Sequence, residues 1–191
     1  MATQAARRDA TREAILSAAD KLFRRHGFQG TAVERITAAA NLAKGTFYQH
    51  FQSKDEVLLA LIRQEERDLT AEVEKRLRGD TPPLKVGRWL VRSMAQSCEA
   101  HRKTVTQSML TAMANPARKG EPSARTSFSR VFEAAQREGE VRRDIDPYDL
   151  ALTLVAGMVP TIVQWAESGP KGALAVSLEK IWRIFLEGVE R

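Results

Sequence analysis

The chain has 191 residues, 43% of them hydrophobic, a size and composition suited to one or two domains with a real core. Its single cysteine, Cys98, excludes an internal disulfide and fits a reducing compartment. The positive charge is uneven: residues 1–52 hold eight Lys+Arg against four Asp+Glu, net +4, leaving 22 against 20, net +2, for the rest, the balance of a small nucleic-acid reader on a larger, nearly neutral body.

The first twenty residues have no continuous apolar block, which argues against a signal peptide. Residues 1–8 have little to bury and are expected to be a mobile, basic arm. A first helix then follows, with Thr11 as N-cap, the stripe Ile15, Ala18, Ala19, Leu22, Phe23, and Gly27 as its stop. Thr31 and Glu34 have capping-box spacing for a second helix, whose Val33 and Ile36 must be buried. Asn41 falls between two helical patterns and tolerates the left-handed backbone of a sharp turn. The third helix starts near Ala43 and packs through Leu42, Phe47 and Phe51. Ser53 and Glu56 form a second capping box, opening a long fourth helix to Arg78, which Gly79 to Pro83 terminate.

Five more helices complete the body. They run from Leu84 to about Ala100, from about Lys103 to Ala114, to an end near Gly139, from an Asp146-Pro147 start to about Glu167, and from about Ala173 to Val189. Ser168-Gly169-Pro170 stops the eighth. The longest apolar stretch, Leu150 to Val163, is shorter than ~20 residues and contains Gly157 and Pro160, so it reads as a buried helix, not a membrane span. No segment alternates as a strand. The expected fold is all-α, about nine helices, with a head at residues 9–52 and a body at 53–191, located in the cytoplasm.

Helix, short turn, helix is the layout of a DNA-reading helix-turn-helix. Lys44 can reach a phosphate or the O6/N7 edge of guanine, and Gln49 can read adenine bidentately. The hydroxyls of Thr46 and Tyr48 suit phosphate oxygens, Gly45 lets the backbone approach the duplex, and His50 lies on or near the same helix. Thr31 and Lys54, each at a helix N-terminus, are expected to clamp the backbone on either side.

Over residues 11–62 the chain resembles the N-terminal domain of the TetR family of bacterial transcriptional repressors. The likeness rests on the first helix ending in Gly27-Phe28, on Thr31, Ile36 and Ala40, and on Leu42-Ala43-Lys44-Gly45-Thr46-Phe47-Tyr48 with Phe51-Gln52-Ser53-Lys54-Asp55-Glu56. Two positions depart from the family pattern: Asn41 stands where Gly is common, and Ala43 where Ser is common. Ala43 cannot cap the recognition helix, a loss of ~1 kcal/mol; no phosphate contact is carried over to it.

The resemblance implies a dimer made by the last two helices, a small-molecule cavity among helices five to eight, and a ligand-controlled spacing of two recognition helices. For the dimer the candidates are Leu154, Ile162, Leu178, Ile181, Trp182 and Phe185, which also form more apolar surface than a terminal helix pair normally leaves uncovered. For the cavity they are Trp89, Met94, Met109, Met113, Phe128, Phe132, Met158 and Trp165, a lining suited to a largely apolar effector, although an ordinary core uses the same residue types. The partners expected are double-stranded operator DNA, a second copy of the chain and that effector; a constitutive DNA-organising protein without a ligand is the rival reading. Cys98 and His101 lie three residues apart, but one cysteine, three histidines and no carboxylate placed to orient the imidazole suggest neither catalysis nor a metal site, and no cofactor is expected.

Overall fold

The computed structural model describes residues 3–168 and 172–189; Met1 and Ala2 of the expected arm and the Gly169-Pro170 stop lie outside the described residues. Among the described residues there are nine helices: α1 Gln4–His26, α2 Val33–Ala39, α3 Lys44–Tyr48, α4 Lys54–Leu77, α5 Pro83–Ala100, α6 Val105–Ala114, α7 Ala124–Glu138, α8 Pro147–Glu167 and α9 Leu174–Val189.

Several helix ends follow from side-chain chemistry. Ser53 Oγ accepts from Glu56 N at 3.2 Å, while the Glu56 carboxylate accepts from Gln52 N at 2.6 Å, so α4 opens on a reciprocal capping box. Asp146 accepts from Tyr148 N at 2.8 Å, with Pro147 at the first turn of α8. Asn41 has φ 54°, the left-handed conformation that the turn before α3 requires. Gly27, at φ 75°, ends α1 with its N–H on Phe23 O at 2.8 Å.

Two expected starts are corrected. Helix α1 begins at Gln4, so residues 4–8 are its first turns and not an arm. Thr3 accepts from Ala6 N at 3.2 Å, and the good helix formers after it extend the helix backward. Thr11 is therefore interior, its hydroxyl donating to Arg7 O at 2.9 Å. Nor does Thr31 cap α2: the N-cap is Ala32, without a side-chain cap bond.

The chain divides into two compact units, Met1–Ile62 with His101–Ala114, and Arg63–Ala100 with Asn115–Arg191. The expected division between residues 52 and 53 is displaced: the boundary falls inside α4, and α6 belongs with the head. Lys103 Nζ donates to Arg25 O at 2.7 Å, and His101 Nε2 meets the Asp20 carboxylate at 3.1 Å. A helix's own periodicity does not reveal which neighbour it packs on, and these contacts span roughly eighty residues of sequence.

The head core is Ile15, Leu16, Ala19, Phe23, Phe28, Ile36, Phe47, Phe51, Val57 and Leu58, all buried. In the other unit, Trp182 lies between α5 and α7, its ring 5.9 Å from both Phe128 and Phe132, with Phe185 5.6 Å from Phe132. These four aromatics form one core cluster. Thr70 and Ser127 share a buried hydroxyl–hydroxyl bond at 2.9 Å.

Helix α8 is apolar on two sides. Leu150, Ala151, Leu154, Met158 and Ile162 are buried in the chain, whereas Leu152, Ala156 and Gly157 are exposed and Val155, Val159 and Val163 half-buried. The buried helix expected over residues 150–163 is thus covered by its own chain on one side only. By length and composition it could cross a membrane, but its inner stripe packs within the second unit as a core helix does.

Gly87 makes room for Trp182: a Cβ there would lie 2.4 Å from Cη2 and 2.7 Å from Cζ2 of the indole. In an uncrowded helix Gly→Ala stabilises by ~1 kcal/mol. Here the sign should reverse. Gly87→Ala is expected to lower stability by ~1–3 kcal/mol through overpacking, a fall of several degrees in thermal unfolding followed by circular dichroism; an unchanged or raised midpoint would refute this reading.

Candidate nucleic-acid interface

Helix α3 presents one face to the core and one outward. Phe47 is fully buried, in edge-on contact with Tyr48 at 5.3 Å and tilted against Phe51 at 6.1 Å. The opposite face carries Lys44, Gly45, Tyr48 and Gln49, all exposed, with Tyr48 50% accessible. Thr46 and His50 are half-buried at its edges. A Cβ on Gly45 would meet nothing within 4 Å, so this position is open to an approaching surface. Six of the eight expected DNA-contacting residues therefore lie together on or beside one five-residue helix.

The two expected clamps behave differently. Thr31 is 1% exposed, and its hydroxyl donates to Gly27 O at 2.8 Å. Its side chain cannot reach a phosphate, and that assignment is withdrawn; the hydroxyl closes the turn between α1 and α2. Lys54 donates to Phe28 O at 2.9 Å and Thr31 O at 3.3 Å and sits 4.3 Å from the centre of the Phe28 ring. It staples the same turn with two of its three N–H donors.

Glu34, expected from its spacing only as a capping residue, also pairs with this face. Lys44 Nζ donates to Glu34 Oε1 at 2.6 Å, both side chains being more than half exposed. The Lys44 hydrogen bond holds the Glu34 carboxyl below its ordinary range, and the same bond raises Lys44. No periodicity links residues ten apart across a turn, so the sequence offered no signal for this pair. Arg35 was also overlooked; its guanidinium meets His26 Nε2 at 3.1 Å.

The expected cavity and dimer residues do not separate as foreseen. Phe128, Phe132 and Met158 are fully buried, and the first two pack on Trp182, Phe132 stacked and Phe128 tilted. Met113 is 67% exposed, and Met109 and Met113 lie on α6, in the head unit. Trp89 is half-buried beneath the Arg76 guanidinium at 4.1 Å, Met94 is half-buried, and Trp165 Nε1 donates to Gly172 O at 3.2 Å. Of the dimer candidates, Leu154, Ile162, Leu178 and Trp182 are core residues of a single chain and offer a partner no surface; Ile181 and Phe185 are half-buried. The outward apolar residues are Leu152, Val176 and Ile184. In a helix that is apolar all round, period alone does not tell inward from outward.

The family profile described as bacterial regulatory proteins, tetR family, matches residues 15–61. The transcriptional repressor DhaR of Mycobacterium sp. (strain GP1) is 27% identical over 177 residues, 82% of this chain and 83% of that protein. The transcriptional regulator UidR of Escherichia coli (strain K12) is 27% identical over 144 residues, 71% of each. Among solved structures, Thermus thermophilus FadR, a TetR-family transcriptional repressor in complex with lauroyl-CoA, superposes with a TM-score of 0.75 at 29% identity, covering 93% of this chain and 94% of that one.

These relatives are regulators, and the only thiol does not suggest otherwise. Burial pushes Cys98 up to about 12, helped by the charges of Glu65 and Glu99, so it stays protonated at neutral pH. The imidazole of His101, for which the sequence suggested no orienting carboxylate, is in fact engaged by Asp20, and that hydrogen bond holds the Asp20 carboxyl low. Alkylation of the native protein at pH 8 should be slower than that of the unfolded chain by on the order of 10³-fold, the ratio of thiolate fractions. Comparable labelling rates with and without denaturant would show that Cys98 is accessible.

Proposed function

Since the chain belongs to the TetR family of bacterial regulatory proteins, we propose that it is a repressor that binds a pseudo-palindromic operator as a homodimer and releases it when a small, largely apolar effector occupies the body. It is a DNA-binding transcriptional regulator. The observation that carries the DNA-binding face is the outward side of α3, where Lys44, Gly45, Tyr48 and Gln49 stand over the buried Phe47. Gln49 reads a base edge, Thr46, Tyr48 and His50 contact the backbone, and Lys54 keeps one N–H for a phosphate. Such a protein works in the cytoplasm, beside the chromosome.

Dimerisation is supported by the two-sided α8. The outer side of α8 carries Leu152, Val155, Val159 and Val163, α9 exposes Val176 and Ile184, and a helix apolar all round is normally covered all round. One helix-turn-helix covers too few base pairs for specificity, which a two-fold pair remedies.

The effector reading draws on the lauroyl-CoA held by the Thermus thermophilus relative. In this chain the half-buried Trp89, Met94 and Trp165 are the side chains best suited to meet an apolar ligand, since Phe128, Phe132 and Met158 are committed to the core. Helix α4 provides a covalent route for coupling: Val57 and Leu58 are buried at its start and Val73 near its end, and residues of both units lie along it.

Selection from a random duplex pool should return an inverted repeat with half-site centres about 34–36 Å apart. Lys54 would contribute a log–log salt slope of up to about −2 for the dimer. A flat salt response, or no enriched repeat, would overturn the regulator reading.

Val176→Glu and Ile184→Glu place charges on exposed positions, so each variant should keep its helical circular dichroism while light scattering reports monomers. Leu154→Glu, by contrast, should unfold the body, because it buries an unpaired carboxylate at a cost of several kcal/mol. A dimer that survives both surface substitutions would mean that the interface lies elsewhere.

A further inference from the structure

A carboxylate is out of place on a surface that meets a polyanion, yet Glu34 stands beside the first residue of the recognition helix. Its Oε1 accepts from Lys44 Nζ at 2.6 Å, and the side chains are 61% and 56% exposed. Stability does not account for it, because solvated surface pairs of this kind contribute little to folding. Each partner nevertheless favours the charged form of the other, so the pair persists as an ammonium next to a carboxylate.

In the major groove the only donors on base edges are the amino groups of cytosine N4 and adenine N6, and an exposed carboxylate among phosphates needs one of them. Lys44 and Glu34 together present a donor and an acceptor 2.6 Å apart. Guanine O6 and cytosine N4 are themselves hydrogen-bonded across their base pair, so this acceptor and donor lie roughly 2.9 Å apart. The two edges are complementary in order and spacing. At an A·T pair the acceptors N7 and O4 lie on opposite sides of the N6 amino group, so the ammonium meets one at a time, O4 being crowded by the thymine methyl, whereas guanine offers it O6 and N7 side by side.

We propose that Glu34 is a specificity-determining residue that forms one reading unit with Lys44: the ammonium donates to guanine O6/N7 and the carboxylate accepts from the N4 amino group of the paired cytosine. This rests on the reading of α3 as the recognition helix. A second effect follows from charge. Glu34 cancels the ammonium nearest the duplex, so Lys44 adds little to sequence-independent binding.

The test uses the full-length protein, unmodified and as Glu34→Gln and Glu34→Ala, in duplex selection and in anisotropy titrations against recovered and scrambled duplexes over a range of salt. The unmodified protein should select a G·C pair at one position in each half-site. Both variants should lose that preference by roughly 10-fold or more while retaining the rest of the motif. On scrambled DNA both should bind more tightly, with a salt slope steeper by about 1.8 for the dimer, 0.9 for each Lys44 set free. Circular dichroism confirms the fold of each variant. No motif from the unmodified protein overturns the regulator reading, and this inference with it. A motif that the variants recover unchanged, or a lost position that is A·T, overturns this inference alone.

Discussion

Helix α3 is five residues long, and a helix of that length does not hold itself together in water, because nucleation fixes several residues for the first hydrogen bond. It lacks a side-chain cap as well, with Ala43 at its N-cap. Its conformation is imposed by the burial of Phe47 and Phe51 against a core drawn from α1, α2 and the start of α4. Removing a buried Phe of this kind costs ~3–5 kcal/mol, a large part of the stability of a small domain. The directions in which Lys44, Tyr48 and Gln49 point are thus set from underneath. Chemistry at the outward face of α3 and packing in the head are one problem here.

In the body the corresponding constraint is the seat of Trp182. The indole fits because position 87 has no side chain, and it gathers Phe128 and Phe132 around itself. That arrangement fixes α9 against α5 and α7 and leaves the other side of α8 with its own row of apolar residues. Charged contacts add direction at the rim: Arg88 and Arg92 both reach Glu179, joining α5 to α9 on an exposed edge. Such pairs contribute little individually in solvent. Aromatic packing orders this unit.

Much of this was legible in the residues. Ser53 with Glu56, Asp146 with Pro147, and Asn41 between two helical patterns each specify a local geometry through bonds made within a few residues, and the structure has those bonds. The first helix starts after Thr3 and not at Thr11 because favourable helix propensity extends backward over residues 4–10. Thr31 was misread because its hydroxyl had two possible partners, an amide ahead or a carbonyl behind; the carbonyl of Gly27 took it. Grouping by unit was invisible, since the turn before α6 reaches α1 through Lys103 and His101 over long sequence separations. The Lys44–Glu34 pair escaped for the same reason. In α8 the sequence carried two apolar stripes, and only packing decided which one faced inward.

The turn between α1 and α2 bears on the entropy of association. Its carbonyls at Gly27, Phe28 and Thr31 receive the Thr31 hydroxyl and the Lys54 ammonium, so a segment without regular structure is tied down before any duplex arrives. Ordering a flexible segment at an interface opposes binding by about 0.5–1.5 kcal/mol for each side chain immobilised. A turn already ordered in the free protein is spared that loss in any association, and Thr31 and Lys54 supply that order through bonds within the turn.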